Sequence, residues 1–182
     1  SNAGENLLYL AAQNSQFSIV DFLIEEGVEV NIKPILLGQT TFHHLAQNGY
    51  DAEKLIKLIK EHSFDINTQD QEGNTVLHNA IAAKNFKLVK LLLANNADLY
   101  IKNIQDKSAL SLLLQDSDAN GIIKELIENG VISIDYHNDS GKNLLHIAFE
   151  TFIPNAKNIQ LLIKKGVDVN AEFEGKSALD LA

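Results

Sequence analysis

Six histidines, a chain rich in carboxylates and one Gly-Lys-Ser triplet are the places to look first for chemistry. His43, His44, His62, His78, His137 and His146 invite a metal or acid–base reading. No His-Glu-x-x-His pattern joins any two of them, and adjacent His43 and His44 would diverge on a helix rather than share a ligand. With no cysteine there is no thiolate ligand, no thiol nucleophile and no disulfide framework. A serine nucleophile would need the Gly-x-Ser-x-Gly turn, which does not occur. Gly175-Lys176-Ser177 ends like a phosphate-binding loop, but Asn170 stands where that motif needs its first glycine. Asn138-Asp139-Ser140 is a formal glycosylation sequon in a chain with no visible secretory signal. Carboxylate neighbours such as Glu25 and Glu26, or Asp116 and Asp118, read as solvated surface. These residues predict no catalytic, cofactor or metal site within this span, so the protein is not expected to be an enzyme here.

Composition narrows the partners. The formal charge is −9 over 182 residues, and all 15 basic residues are lysine. Nucleic-acid binders need positive charge, and base readers lean on arginine, so nucleic acid is excluded as a partner. No apolar run is long enough to span a bilayer, and membrane insertion is not expected. The acidic surface predicts a protein partner with a basic or neutral face. Ser1-Asn2-Ala3 reads as a cloning scar and is set aside.

What positions these residues is a repeat. Gly38-Gln39-Thr40-Thr41-Phe42-His43 recurs as Gly73-Asn74-Thr75-Val76-Leu77-His78 and as Gly141-Lys142-Asn143-Leu144-Leu145-His146. Weaker copies begin at Gly4, Asp106 and Gly175, so the steps are 34, 35, 33, 35 and 34 residues. An apolar second motif follows each of the first five copies, as in Val20 to Gly27, Val89 to Leu93 and Leu161 to Gly166. The period, the Gly-x-Thr-x-Leu-His element and the Asp-Val-Asn element after the second motif resemble the ankyrin repeat. The resemblance covers nearly all of residues 4–182 and implies an all-α fold, an α-solenoid of helix-turn-helix units with short projecting β-hairpin loops. It implies one domain, residues 4–182, with repeats near 4–37, 38–72, 73–105, 106–140 and 141–174 and a partial sixth at 175–182. The chain is expected to be a fragment of a longer protein, and monomeric.

Local chemistry agrees. Thr40, Thr75, Ser108 and Ser177 stand where helix N-caps are needed, with Asn6 and Asn143 as substitutes. Leu8, Ala11 and Ala12 share a helical face, as do Leu77, Ala80 and Ile81. Second helices present Ile19, Val20, Leu23 and Ile24, or Leu88, Val89, Leu92 and Leu93. Gly27, Gly130 and Gly166 are expected as left-handed stops, each followed by a short β-like pair such as Val28 to Val30 or Val167 to Val169. Pro154 is expected to open a second helix.

The resemblance implies that His43, His78 and His146 are structural, and that function lies on hairpin tips and the exposed face of the first helices. Carried over, the partner-binding tips are Ile35, Leu36, Leu37 and Gln39; Gln71, Glu72 and Asn74; Ile104, Gln105 and Lys107; Asp139, Ser140 and Lys142; Phe173 and Glu174. The apolar tip Ile35-Leu36-Leu37 is the expected anchor. The resemblance further implies asparagine hydroxylation after the Asp-Val element, at Asn170 and Asn31 ahead of Asn67. The function expected is a protein-interaction scaffold in the cytoplasm. The bias toward Asn, Ile and Lys suggests a bacterial source, and with it the resemblance implies an effector that acts in a host cytosol on host proteins. The alternative is a substrate-recruiting domain of an enzyme whose catalytic domain lies outside this chain.

Overall fold

The computed structural model describes residues 2–30, 38–150 and 154–181. It divides into two compact units, residues 1–109 and residues 110–182. The first unit holds α1 (Asn2–Gln13), α2 (Phe17–Glu25), α3 (Thr41–Gln47), α4 (Ala52–Glu61), α5 (Val76–Ala82) and α6 (Phe86–Ala94). The second holds nearly all of α7 (Ala109–Gln115), then α8 (Asn120–Glu128), α9 (Leu144–Ala148) and α10 (Ala156–Lys165). It closes with β1 (Glu172–Phe173), β2 (Lys176–Ser177) and a 3-10 turn at Ala178–Leu181.

In four repeats the two helices pack on each other: α1 with α2, α3 with α4, α5 with α6, and α9 with α10. First helices pack on first helices, α1 on α3 and α3 on α5, and α4 packs on α6. Small buried residues such as Ala12, Ala46 and Ala80 let the backbones approach, while Phe42, Leu45, Leu77, Leu88 and Leu92 fill the space between them. A single pair has too little apolar area to fold alone, so neighbouring repeats supply each other's core. This is the ankyrin-type all-α architecture expected from the repeats.

The second helices end as expected. Gly27, Gly130 and Gly166 take positive φ, and the next amide bonds back five residues, as in Val167 N–H to the Leu162 carbonyl at 3.1 Å. Ser63 and Asn96 adopt the same left-handed conformation in the other two repeats.

Five local expectations are corrected. The segments Val28 to Val30 and Val167 to Val169 form no strand. In the second of these Asp168 takes over the backbone bonding, accepting the amide two residues on at 2.9 Å, and Asp65 and Asp98 do so in two other repeats, at 3.0 and 2.7 Å, so a turn replaces a ladder. Among the described residues the hairpins shrink to β1–β2 and to single bridges at Lys102–Ser108 and His137–Asn143. Asn6 lies inside α1 rather than capping it, because the helix starts at Asn2. Pro154 lies outside α10, one residue before the true cap Asn155. Ile19 is exposed.

Leu7, Leu10, Ile19 and Phe22 are all exposed on α1 and α2. Their counterparts in the next repeat, Thr41, His44, Leu55 and Leu58, are buried. These four side chains occupy the positions that, in the next repeat, meet a preceding one.

Candidate protein-interaction surface

The hairpins are positioned by a bonding scheme that repeats with the sequence. In the second and third repeats a threonine opens the first helix and a histidine one turn on returns to it. The Thr75 amide and hydroxyl lie 3.1 and 2.9 Å from His78 Nδ1. Both donate to it, so Nε2 carries the hydrogen and donates to the Lys107 carbonyl of the next hairpin at 3.1 Å. His43 does the same between Thr40 and the Asn74 carbonyl, at 3.0 Å. Burial pushes both imidazoles below the ordinary histidine value, and hydrogen bonding and Asp70 offset this only in part. In the fifth repeat Asn143 caps α9, and His146 Nε2 faces the Lys176 carbonyl at 3.3 Å. These histidines are structural cross-links between hairpins, and among the described residues no His, Asp and Glu cluster is placed to hold a metal.

Three hairpin tips are held from inside. Asp70 Oδ1 accepts the amides of Glu72 and Asn74, at 2.9 and 2.8 Å. Asn103 Oδ1 does so for Gln105 and Lys107, both at 3.0 Å. Asn138 Oδ1 takes Ser140 and Lys142, at 3.1 and 2.9 Å. Consecutive tips are also joined: the Ile104 amide donates to the Glu72 carbonyl at 3.0 Å, and Asn103 Nδ2 to Asn74 Oδ1 at 2.9 Å. Gly73 allows this approach, since a Cβ there would lie 2.9 Å from the Asn103 and Ile104 backbone.

The expected tip residues therefore sort themselves. Gln71, Glu72, Gln105, Asp139, Ser140 and Glu174 are exposed. Ile104 is 74% exposed, a large apolar side chain on a tip whose backbone is tied down. Others are engaged. Gln39 Nε2 donates to Asp70 Oδ2 at 3.3 Å. Asn74 and Lys107 spend their carbonyls on histidines and are half-buried. Lys142 Nζ pairs with Glu150 at 2.7 Å and lies 4.8 Å from the ring of half-buried Phe173. Ile35, Leu36, Leu37 and Asn31 lie outside the described residues. Asn67 Oδ1 accepts the Asp98 amide at 2.9 Å, whereas Asn170 is exposed.

Sequence reasoning missed a set of asparagines, Asn48 half-buried and Asn79 and Asn158 buried, that bind one repeat to the one before. Asn48 Nδ2 donates to the Ala12 and Gln13 carbonyls, at 2.9 and 3.0 Å. Asn79 Nδ2 reaches the His43 carbonyl at 3.3 Å. In the second unit Asn158, fully buried, donates to the Leu114 and Asp116 carbonyls at 3.0 and 2.8 Å. Asn48 and Asn158 thereby satisfy orphan carbonyls at the C-terminal ends of α1 and α7. An amide on an otherwise apolar helix face was the available signal.

The chain is similar to known proteins. The family described as "Ankyrin repeats (3 copies)" matches residues 8–103. Alpha-latrotoxin-Lg1a of Latrodectus geometricus is 30% identical over 176 residues, covering 92% of this chain and 13% of that protein. An ankyrin repeat protein of Rickettsia bellii (strain RML369-C) is 30% identical over 109 residues, 60% of each chain. The solved ankyrin repeat domain of Bcl-3, an IkappaB-family protein, superposes with a TM-score of 0.72 at 25% identity, covering 96% of this chain and 78% of that one. The chain thus spans less than two thirds of the length of both sequence relatives.

Proposed function

We propose a function from one premise: this chain belongs to the ankyrin-repeat family. As a member of a family of protein–protein interaction modules, it captures a partner protein through its hairpin tips. The observation that carries this reading is Ile104: a solvated isoleucine on a tip pinned by four hydrogen bonds. A rigid apolar anchor loses little entropy on binding, and such residues dominate interface energetics. Around it Gln71, Glu72 and Gln105 form a polar rim; the second unit has exposed tip residues of its own in Asp139, Ser140 and Glu174. The apolar run Ile35 to Leu37 is a second candidate anchor.

The likeness to the Rickettsia bellii protein supports the narrower reading of a bacterial effector that meets host proteins in a host cytosol. The much greater length of the latrotoxin relative supports a repeat segment that recruits targets for a longer polypeptide. Affinity capture from eukaryotic lysate, comparing the native chain with Ile104→Asp, tests the surface. A partner retained by the first and lost by the second, at equal melting temperature, is the expected result. Equal capture by both would remove the tips from consideration.

A further inference from the structure

A groove of about 570 Å³ runs between α8 and α10, within the second unit. Its volume is in the range of ordinary ligand clefts. Lys124, Lys157, Lys164 and Lys165 line it, with one carboxylate, Glu128. The second unit carries six lysines against eleven carboxylates, yet four of the six converge here. Glu128 serves two of them, Lys165 at 2.6 Å and Lys124 at 4.0 Å. Lys157 and Lys164 make no ion pair among the described residues.

Comparison with the first unit shows how Lys157 came to lack a partner. Counted back from the left-handed stops, Lys157 of α10 matches Lys87 of α6, and Asn120 of α8 matches Glu53 of α4. Lys87 pairs with Glu53 at 2.7 Å. In the groove neutral Asn120 replaces that carboxylate, and its amide turns instead to the Lys157 carbonyl at 3.1 Å. Lys164 and Lys165 sit in the last turn of α10, where the helix dipole favours cations. Lys157 sits in the first turn, where the dipole opposes it. Helix stability therefore accounts for two of these lysines and not for Lys157.

We infer that the groove between α8 and α10 docks an acidic segment of a partner protein, its carboxylates meeting Lys157 and Lys164. The walls suit a peptide: Gln160 offers an amide for its backbone, and half-buried Leu161 an apolar contact. Confinement matters, because an extended anionic surface such as a membrane would also face the unit's eleven carboxylates. A short segment in the groove meets lysines within one Debye length, about 8 Å at physiological salt. This site is separate from the hairpin tips and selects the opposite charge.

Fluorescence anisotropy with the full chain and a fluorescein-labelled oligoglutamate peptide tests it. Binding should be measurable at low salt and weaken as salt rises. Lys157→Gln with Lys164→Gln should weaken it about tenfold or more, since each removes a charge-assisted contact. Asn120→Glu, which restores the pairing seen at Glu53, should weaken it several-fold without lowering the melting temperature. Ile104→Asp should leave it unchanged, which separates this site from the tips. Native affinity in the lysine double variant, no binding at low salt, or binding of phosphatidylserine vesicles in place of the peptide would each overturn the inference.

Discussion

At the scale of single residues, the most exacting positions are buried amides. Asn158 fills a site with no solvent and bridges to the α7 carbonyls. Asn158→Ala leaves those carbonyls unpaired in the interior, and chemical denaturation should show a loss of about 1–3 kcal/mol. Asn170 carries a different expectation. It is exposed, its backbone is held only by the Asp168 turn, and its carboxamide makes no hydrogen bond among the described residues. Asn67 instead has its side-chain oxygen on the Asp98 amide. Incubation with a eukaryotic asparaginyl hydroxylase should therefore add one oxygen at Asn170 before Asn67, read by peptide mass spectrometry; the reverse order would discard the ranking. The histidines were legible as structural because they recur with the threonines they bond. The asparagines were not, because an amide in a helix looks the same whether it faces water or a neighbour's carbonyl.

At the scale of elements, the helices followed from their periodicity and the hairpins did not. Val76, Leu77, Ala80 and Ile81 define one face of α5, and all four are buried. Strand expectations rested on valines around an acidic residue, and failed because the aspartate bonds its own backbone first. Leu92 on α6 is fully buried, and Leu92→Ala should cost about 2–5 kcal/mol by the usual cost of emptying a packed site. Hydrogen exchange should then rise first in α4 and α6, which pack together; uniform loosening of the first unit would contradict nearest-neighbour coupling. Gly73→Ala meets two penalties, a φ of +73° and the 2.9 Å approach to the Asn103 and Ile104 backbone. It should lower the melting temperature more than Gly141→Ala, whose Cβ would meet open space. The lysine groove escaped sequence reasoning because its four members come from two helices some 30 residues apart, and only their packing gathers them.

At the scale of the whole molecule, acid should act through the joints of the first unit. His43, His44 and His78 all have pKa values depressed chiefly by burial. Each binds its proton more readily in the unfolded chain, so the stability they contribute is complete above about pH 6.5 and falls as pH drops below it. Thermal melts should show the transition of the native chain falling from pH 7 toward pH 5. The slope should lessen in His78→Gln, whose amide still reaches the Lys107 carbonyl; an unchanged slope would count against the account. The same joints have a consequence for descent. His43, His78 and His146 address the carbonyls of Asn74, Lys107 and Lys176, one asparagine and two lysines, and touch none of their side chains' functional groups in doing so. Because the link reads main chain and not side chain, a gene can duplicate, drop or exchange a unit without any matching mutation in its neighbour. Tip residues are likewise released to diverge at their own pace. Repeat number and tip chemistry thus become independent heritable variables, one setting reach and the other setting choice.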